Sequence, residues 1–207
     1  MNSIKARLRR DLQEAGWRSR GYLPHFEGGE IAQTINLRLA DSLPKRVLER
    51  WNQEFTRDRT VAAPVVRERT ERYLDQGYGS CALRDVRVAQ MVQDALLHFD
   101  SERYWLSAWV VMPNHVHLLL TPNSLWPLSR ITKLFKSYTA HQANRILDLH
   151  GQFWMEDYFD RYVRDHKHFT NAITYIENNP VKAGLCEKAC DWKFSSAWFR
   201  QQYKSSQ

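Results

Sequence analysis

Six residues in the middle of the chain, Met112-Pro113-Asn114-His115-Val116-His117, run directly into Leu118-Leu119-Leu120. Successive side chains of a β-strand point to opposite faces, so His115 and His117 project from one face while Val116 turns into the core. Two imidazoles side by side can share one metal ion. The alternative is a half-buried strand whose imidazoles are satisfied by backbone carbonyls, and the motif alone does not separate the two.

The surrounding pattern is that of a small layered domain. Tyr104 to Met112, rich in aromatic and β-branched residues, turns at Pro113-Asn114 and returns as His115 to Thr121, which predicts a hairpin. Upstream, Ile31 to Leu39 alternates around Ile35, Leu37 and Leu39, a first strand ended by Asp41 and Ser42. Pro44 then opens a helix carrying Val47, Leu48 and Trp51 at helical spacing, and a charged segment from Arg57 to about Asp75 reads as a helical insertion closed by Gly77 and Gly79. Val86 to Phe99 has an amphipathic helical stripe, and Leu128 to Leu149 a longer one closed by Gly151. Trp154 to Val163 reads as another strand, and His168 to Asn178 as a helix ended by Asn179-Pro180. A few antiparallel strands interleaved with helices make an α+β fold, and 207 residues make one domain.

Charge narrows the choice of partner. Thirty Lys and Arg against twenty-three Asp and Glu leave a net charge of +7, which suits a polyanion. Lys5, Arg7, Arg9, Arg10, Arg18 and Arg20 crowd the first twenty residues as a basic arm, opposed only by Asp11 and Glu14. Three cysteines, Cys81, Cys186 and Cys190, contain no CxxC pair and fit a reducing cytoplasm. The uncharged span from Tyr104 to Ser129 is broken by Pro113, Pro122 and Pro127, which argues against a membrane helix, and no apolar h-region follows the basic start, so no signal peptide is expected.

A divalent ion needs more than two imidazoles. Tyr175 and Asn179 stand four apart, a spacing that brings a phenol and an amide oxygen to one helical face. Two histidines and one amide oxygen would leave positions open for a phosphate oxygen and waters.

Tyr175-Ile176-Glu177-Asn178-Asn179-Pro180-Val181-Lys182-Ala183-Gly184, paired with the upstream MPNHVH, resembles the single-tyrosine HUH transposases, most closely the REP-associated tyrosine transposases. The likeness runs from about Tyr22 to Trp198 and takes in Asp160-Arg161 and Asp191-Trp192-Lys193-Phe194-Ser195-Ser196. It implies a ferredoxin-like (RRM-like) antiparallel sheet with the histidines on a central strand and the tyrosine on a nearby helix. It further implies Tyr175 as nucleophile and His115, His117 and Asn179 as ligands of Mg²⁺ or Mn²⁺. The substrate would be single-stranded DNA folded as a hairpin, such as a repetitive extragenic palindrome, cleaved to a 5′-phosphotyrosine and a free 3′-hydroxyl by a monomer or homodimer. The organisation expected is a basic arm over 1–21, the transposase domain over 22–185 and a C-terminal extension over 186–207.

Elementary chemistry explains the metal. A phenol of pKa near 10 is only about 0.1% ionised at neutral pH, a deficit of roughly 4 kcal/mol. A cation that polarises the phosphate offsets this. Tyr138, with Gln142 four residues on, is a rival nucleophile, but it follows His117 too closely and lacks the Asn-Pro-Val-Lys context. Lys133, Lys136, Arg161, Arg164 and Lys182 are candidate phosphate contacts, with solvated surface charge as the alternative. Two other functions stand beside this one: a hairpin-binding module that does not cut, and a histidine-triad nucleotide hydrolase, weakened by Leu119 where that motif needs histidine.

Overall fold

The hairpin around Pro113-Asn114 forms one half of the main sheet. In a computed structural model describing residues 16–19, 24–44, 46–47, 49 and 62–205, β1 (Trp17–Ser19) and β2 (Pro24–Phe26) make a separate two-stranded ribbon. Strands β3 (Gln33–Arg38), β4 (Tyr104–Val111), β5 (His115–Pro122) and β6 (Phe159–Tyr162) form an antiparallel sheet in the spatial order β4-β5-β3-β6. Taking β3 as the first strand of the sheet, this is the ferredoxin-like order expected from the sequence. Among the described residues the α-helices include α1 (Ala62–Leu74), α2 (Val86–His98), α3 (Leu128–Leu147), α4 (His166–Glu177), the single-turn α5 (Asn179–Lys182) and α6 (Ser196–Ser205).

Both faces of the sheet are covered. Ile35, Leu37, Val116, Leu118 and Leu120 pack with Val88, Val92 and Leu96 of α2 and Leu128 and Ile131 of α3. On the other face, Ala108, Val110, Met112 and Leu119 pack with Ala172 and Ile176 of α4. Burying a Val or Leu side chain contributes roughly 1.5–3 kcal/mol, and β5, buried along nearly all its length, concentrates that gain in one strand. A register shift between Leu106 and Ala108 lets β4 serve both layers. Before it, Tyr104 and Leu106 contact the α2–α3 core, and after it Ala108 and Val110 contact the α4 core. One extra residue exchanges the two faces, as a β-bulge must.

Local chemistry sets several boundaries. Asp85 caps α2 by accepting from the Arg87 N–H, and Asp165 caps α4 by accepting from the His168 N–H. Gly79, at φ 87°, lies so near the end of β3 that a Cβ there would meet the Asp41 carbonyl oxygen at 2.6 Å. Three boundaries differ from expectation. Asp148, in the left-handed region at φ 53°, ends α3 ahead of Gly151. The strand expected over 154–163 is confined to Phe159–Tyr162, because Trp154 is drawn into the core, where its Nε1–H donates to Thr139 Oγ1 at 2.8 Å. Helix α4 stops before Asn178, and Asn179 opens α5 with Pro180 in its first turn. The basic arm through residue 15 and most of the helix expected after Pro44 lie outside the described residues.

Two fastenings hold the periphery. The tail returns to β4, where the Val111 N–H donates to the Phe194 carbonyl and the Trp192 Nε1–H to the Val111 carbonyl, both at 2.9 Å. At the opposite edge His25 joins the ribbon to β6: Nε2 lies 2.6 Å from Asp157 Oδ1, Nδ1 2.5 Å from Asp160 Oδ1, and the ring stacks on Tyr158. Among the described residues no helix is long and apolar enough to cross a membrane.

Burial opposes a charge on His25, but the two carboxylates outweigh it and raise its pKa to about 9. The folded-state value exceeds the unfolded one, so the clamp stabilises fully below about pH 6.5 and its contribution, roughly 3 kcal/mol, is lost as pH rises through 9. Thermal melts from pH 6 to 10 should show this alkaline decline, and His25→Gln should lower Tm at pH 7 and flatten the decline. An unchanged profile in the variant would refute the clamp's role.

Candidate active site

Strand β5 delivers the two imidazoles to the face that α4 covers. Their centroids are 4.7 Å apart with the planes at 89°, and His115 and His117 are both almost fully buried. His115 Nδ1 lies 2.8 Å from Asn114 Oδ1, and Asn114 is itself held by donation from Nδ2 to the Tyr78 carbonyl at 3.0 Å. An amide oxygen accepts only, so Nδ1 carries the proton and Nε2 presents its lone pair. That Nε2 is buried with no hydrogen-bond partner. The backbone-carbonyl alternative raised by the sequence therefore does not describe His115. Burial, reinforced by His117, pushes the His115 pKa well below 6.5 and keeps the ring neutral, the form that ligates a metal.

Helix α4 and the turn after it supply the other groups. The Tyr175 ring centroid lies 5.8 Å from that of His117, at 84°. Asn179, 1% exposed, donates from Nδ2 to the Tyr175 carbonyl at 2.8 Å, and its Oδ1 has no hydrogen-bond partner. Leaving a buried acceptor unpaired costs about 1–3 kcal/mol. An imidazole nitrogen and an amide oxygen, both orphaned and both able to ligate, fit a divalent cation of the Mg²⁺ or Mn²⁺ class. Among the described residues no group of three His, Cys, Asp or Glu could hold a metal, so the third protein donor here would be the amide.

The basic candidates divide. Lys182 Nζ pairs with Asp75 at 2.7 Å and lies 6.0 Å from the Tyr175 ring centroid. Arg161, exposed and opposite Thr34 in the register, shares the sheet face of the histidines, and exposed Arg164 follows β6. Lys133 and Lys136 instead ride on α3, which covers the other face; Lys133 is exposed and Lys136 Nζ donates to the Glu156 carbonyl at 2.5 Å. The rival Tyr138 is also on α3, 54% exposed and separated from His117 by the sheet. Sequence reasoning treated Asn114 only as a turn residue. Its place directly before the first histidine was the available signal, because an imidazole ligand needs an acceptor for its other nitrogen.

Residues 84–179, a stretch ending on Asn179, match the family described as transposase IS200 like. The chain is 28% identical over 109 residues to the REP-associated tyrosine transposase of Escherichia coli (strain K12), a match covering 52% of this chain and 63% of that protein. A Haemophilus influenzae relative of like description is 31% identical over 96 residues, 42% of this chain and 54% of its own length. The chain thus spans under two thirds of the curated relatives it matches. A solved REP-associated tyrosine transposase bound to a REP hairpin shares the fold, with TM-score 0.52 at 18% identity over 86% of this chain and 82% of that one.

Removing the acceptor that orients His115 tests the donor set. Asn114→Ala should weaken Mn²⁺ binding about 10–100-fold, read from the electron paramagnetic resonance signal of free Mn²⁺. Unaltered affinity would remove Asn114 from the site.

Proposed function

We propose that this chain is a metal-dependent, single-stranded DNA transposase or endonuclease that cleaves and rejoins hairpin DNA through a covalent 5′-phosphotyrosine. The observation that carries the reading is Tyr175 standing 5.8 Å, ring to ring, from His117, next to His115, whose buried Nε2 has no hydrogen-bond partner. His115, His117 and Asn179 would hold Mg²⁺ or Mn²⁺, which when bound polarises the scissile phosphate and stabilises charge developing on it. Tyr175 Oη attacks phosphorus, the bond to the 3′-oxygen breaks, and that oxygen takes up a proton as the strand's 3′-hydroxyl leaves. The phosphodiester energy stays in the Tyr175 linkage, so a 3′-hydroxyl can reverse the step without a nucleotide cofactor.

The basic surface and the REP hairpin bound by a structural neighbour support this substrate class. Arg161, Arg164 and Lys182 contact backbone phosphates beside the site, Lys133 and Lys136 contact flanking DNA along α3, and the arm over 1–21 adds charge to the hold on the strand. The domain over 22–185 carries the chemistry and the extension over 186–207 buttresses β4. The protein works in the cytoplasm, as monomer or homodimer; Cys81, Cys186 and Cys190 are free thiols.

Incubated with Mn²⁺ and a labelled single-stranded hairpin from its own genome, the protein should form an adduct that survives denaturation. Tyr175→Phe should reduce the adduct at least about 10³-fold while sparing binding, because no other hydroxyl replaces the nucleophile. Adduct retained there but lost in Tyr138→Phe would move the nucleophile to α3. Binding without adduct in the wild type would mean a passive hairpin module, and metal-independent nucleotide hydrolysis a histidine-triad enzyme.

A further inference from the structure

Asn36 lies in the middle of β3, its Cα paired with that of His117 on β5 and that of Phe159 on β6. Residues directly opposite in an antiparallel pair direct their side chains to the same face. Asn36 therefore belongs to the face that carries the imidazoles, between the aliphatic Ile35 and Leu37 that face the other layer. It is 6% exposed, and neither its amide oxygen nor its amide nitrogen has a hydrogen-bond partner. Each unpaired buried group costs about 1–3 kcal/mol, which an aliphatic side chain of the same size would avoid. A partner outside the chain would offset that cost, and position says which one. Asn36 lines a single small cleft with His117, Phe159, Asp160 and Tyr175.

We propose that Asn36 is a further catalytic residue, whose Nδ2–H donates a hydrogen bond to a non-bridging oxygen of the phosphate that Tyr175 attacks. The inference rests on the function proposed above. As the bond from Tyr175 Oη to phosphorus forms and the bond to the 3′-oxygen breaks, negative charge grows on the non-bridging oxygens. The phenol proton passes to solvent and the departing 3′-oxygen collects one from it, so Asn36 itself transfers nothing. A donor already fixed in a buried cleft stabilises that charge with no reorganisation. Neutrality suits the task, since a donor without positive charge does not repel a cation held by the imidazoles.

The test compares variants at two buried amides of the same strand. Asn36→Leu keeps the branched shape and removes both polar ends, so Tm should hold or rise while Mn²⁺ affinity and hairpin binding stay within about threefold and adduct formation slows about 10²–10³-fold. Asn36→Asp, isosteric but without the N–H, should lose as much. Gln33→Leu is the control: Gln33 is as deeply buried and as unpartnered, but it pairs with Leu120 and faces the α2–α3 layer, so its variant should keep the wild-type rate. Wild-type rate in Asn36→Leu or Asn36→Asp would overturn the inference, as would a fall in Tm, a parallel loss of Mn²⁺ affinity, or equal slowing by Gln33→Leu. In each of those cases the nuclease reading stands, provided the wild type forms adduct. A wild type that forms none overturns both.

Discussion

Everything in this molecule depends on β5 being buried from both sides. A strand covered by α2 and α3 on one face and by α4 on the other has no exposed surface on which to place polar groups. The imidazoles of His115 and His117 are therefore held in a dry, close-packed setting, fixed by neighbours that also form the core. Rigidity is the gain, because side chains carried on packed elements keep a fixed geometry. The cost is a set of polar atoms for which the fold supplies no partner.

Those atoms are the informative part of the site. Native interiors pair nearly all their buried polar groups, yet His115 Nε2, Asn179 Oδ1 and both ends of Asn36 lack partners around one sheet face. Where the chain does provide partners, it orients rather than satisfies: Asn114 turns His115, and the Tyr175 carbonyl turns Asn179. Stability is surrendered at the site and recovered elsewhere, in the doubly covered strand, in the His25 clamp on β6 and in the tail hydrogen-bonded along β4. The clamp has a second consequence. Asp160 lines the cleft, but its oxygens are engaged by His25 and by the Phe26 N–H.

Much of the fold was legible because periodicity is a local property. The alternation of Ile35, Leu37 and Leu39, the stripe on α2 and the break at Pro113-Asn114 each lie within a dozen residues, and each element formed close to where the pattern put it. Boundaries failed where a distant contact outweighed local preference. Trp154 looked like strand and became core because Thr139, fifteen residues earlier, offers its indole N–H an acceptor. The ribbon of β1 and β2 had no signal of its own strength, since its anchor on β6 lies 135 residues away in sequence.

The sequence by itself determined the chemistry available: two imidazoles on one strand face, a phenol four residues before an amide, and the excess of positive charge. These follow from residue identity and spacing, which the backbone periods of strand and helix convert into shared faces. Tertiary structure alone decided which groups meet. Tyr175 rather than Tyr138 stands beside His117 because α4 and α3 cover opposite faces of the sheet. Asn36 faces the site because the β3–β5 register pairs it with His117 across 81 residues of chain, a choice made by the burial of Ile35, Leu37, Val116 and Leu118 on the other side. A slip of one residue would have put Asn36 into the core and an aliphatic side chain into the cleft.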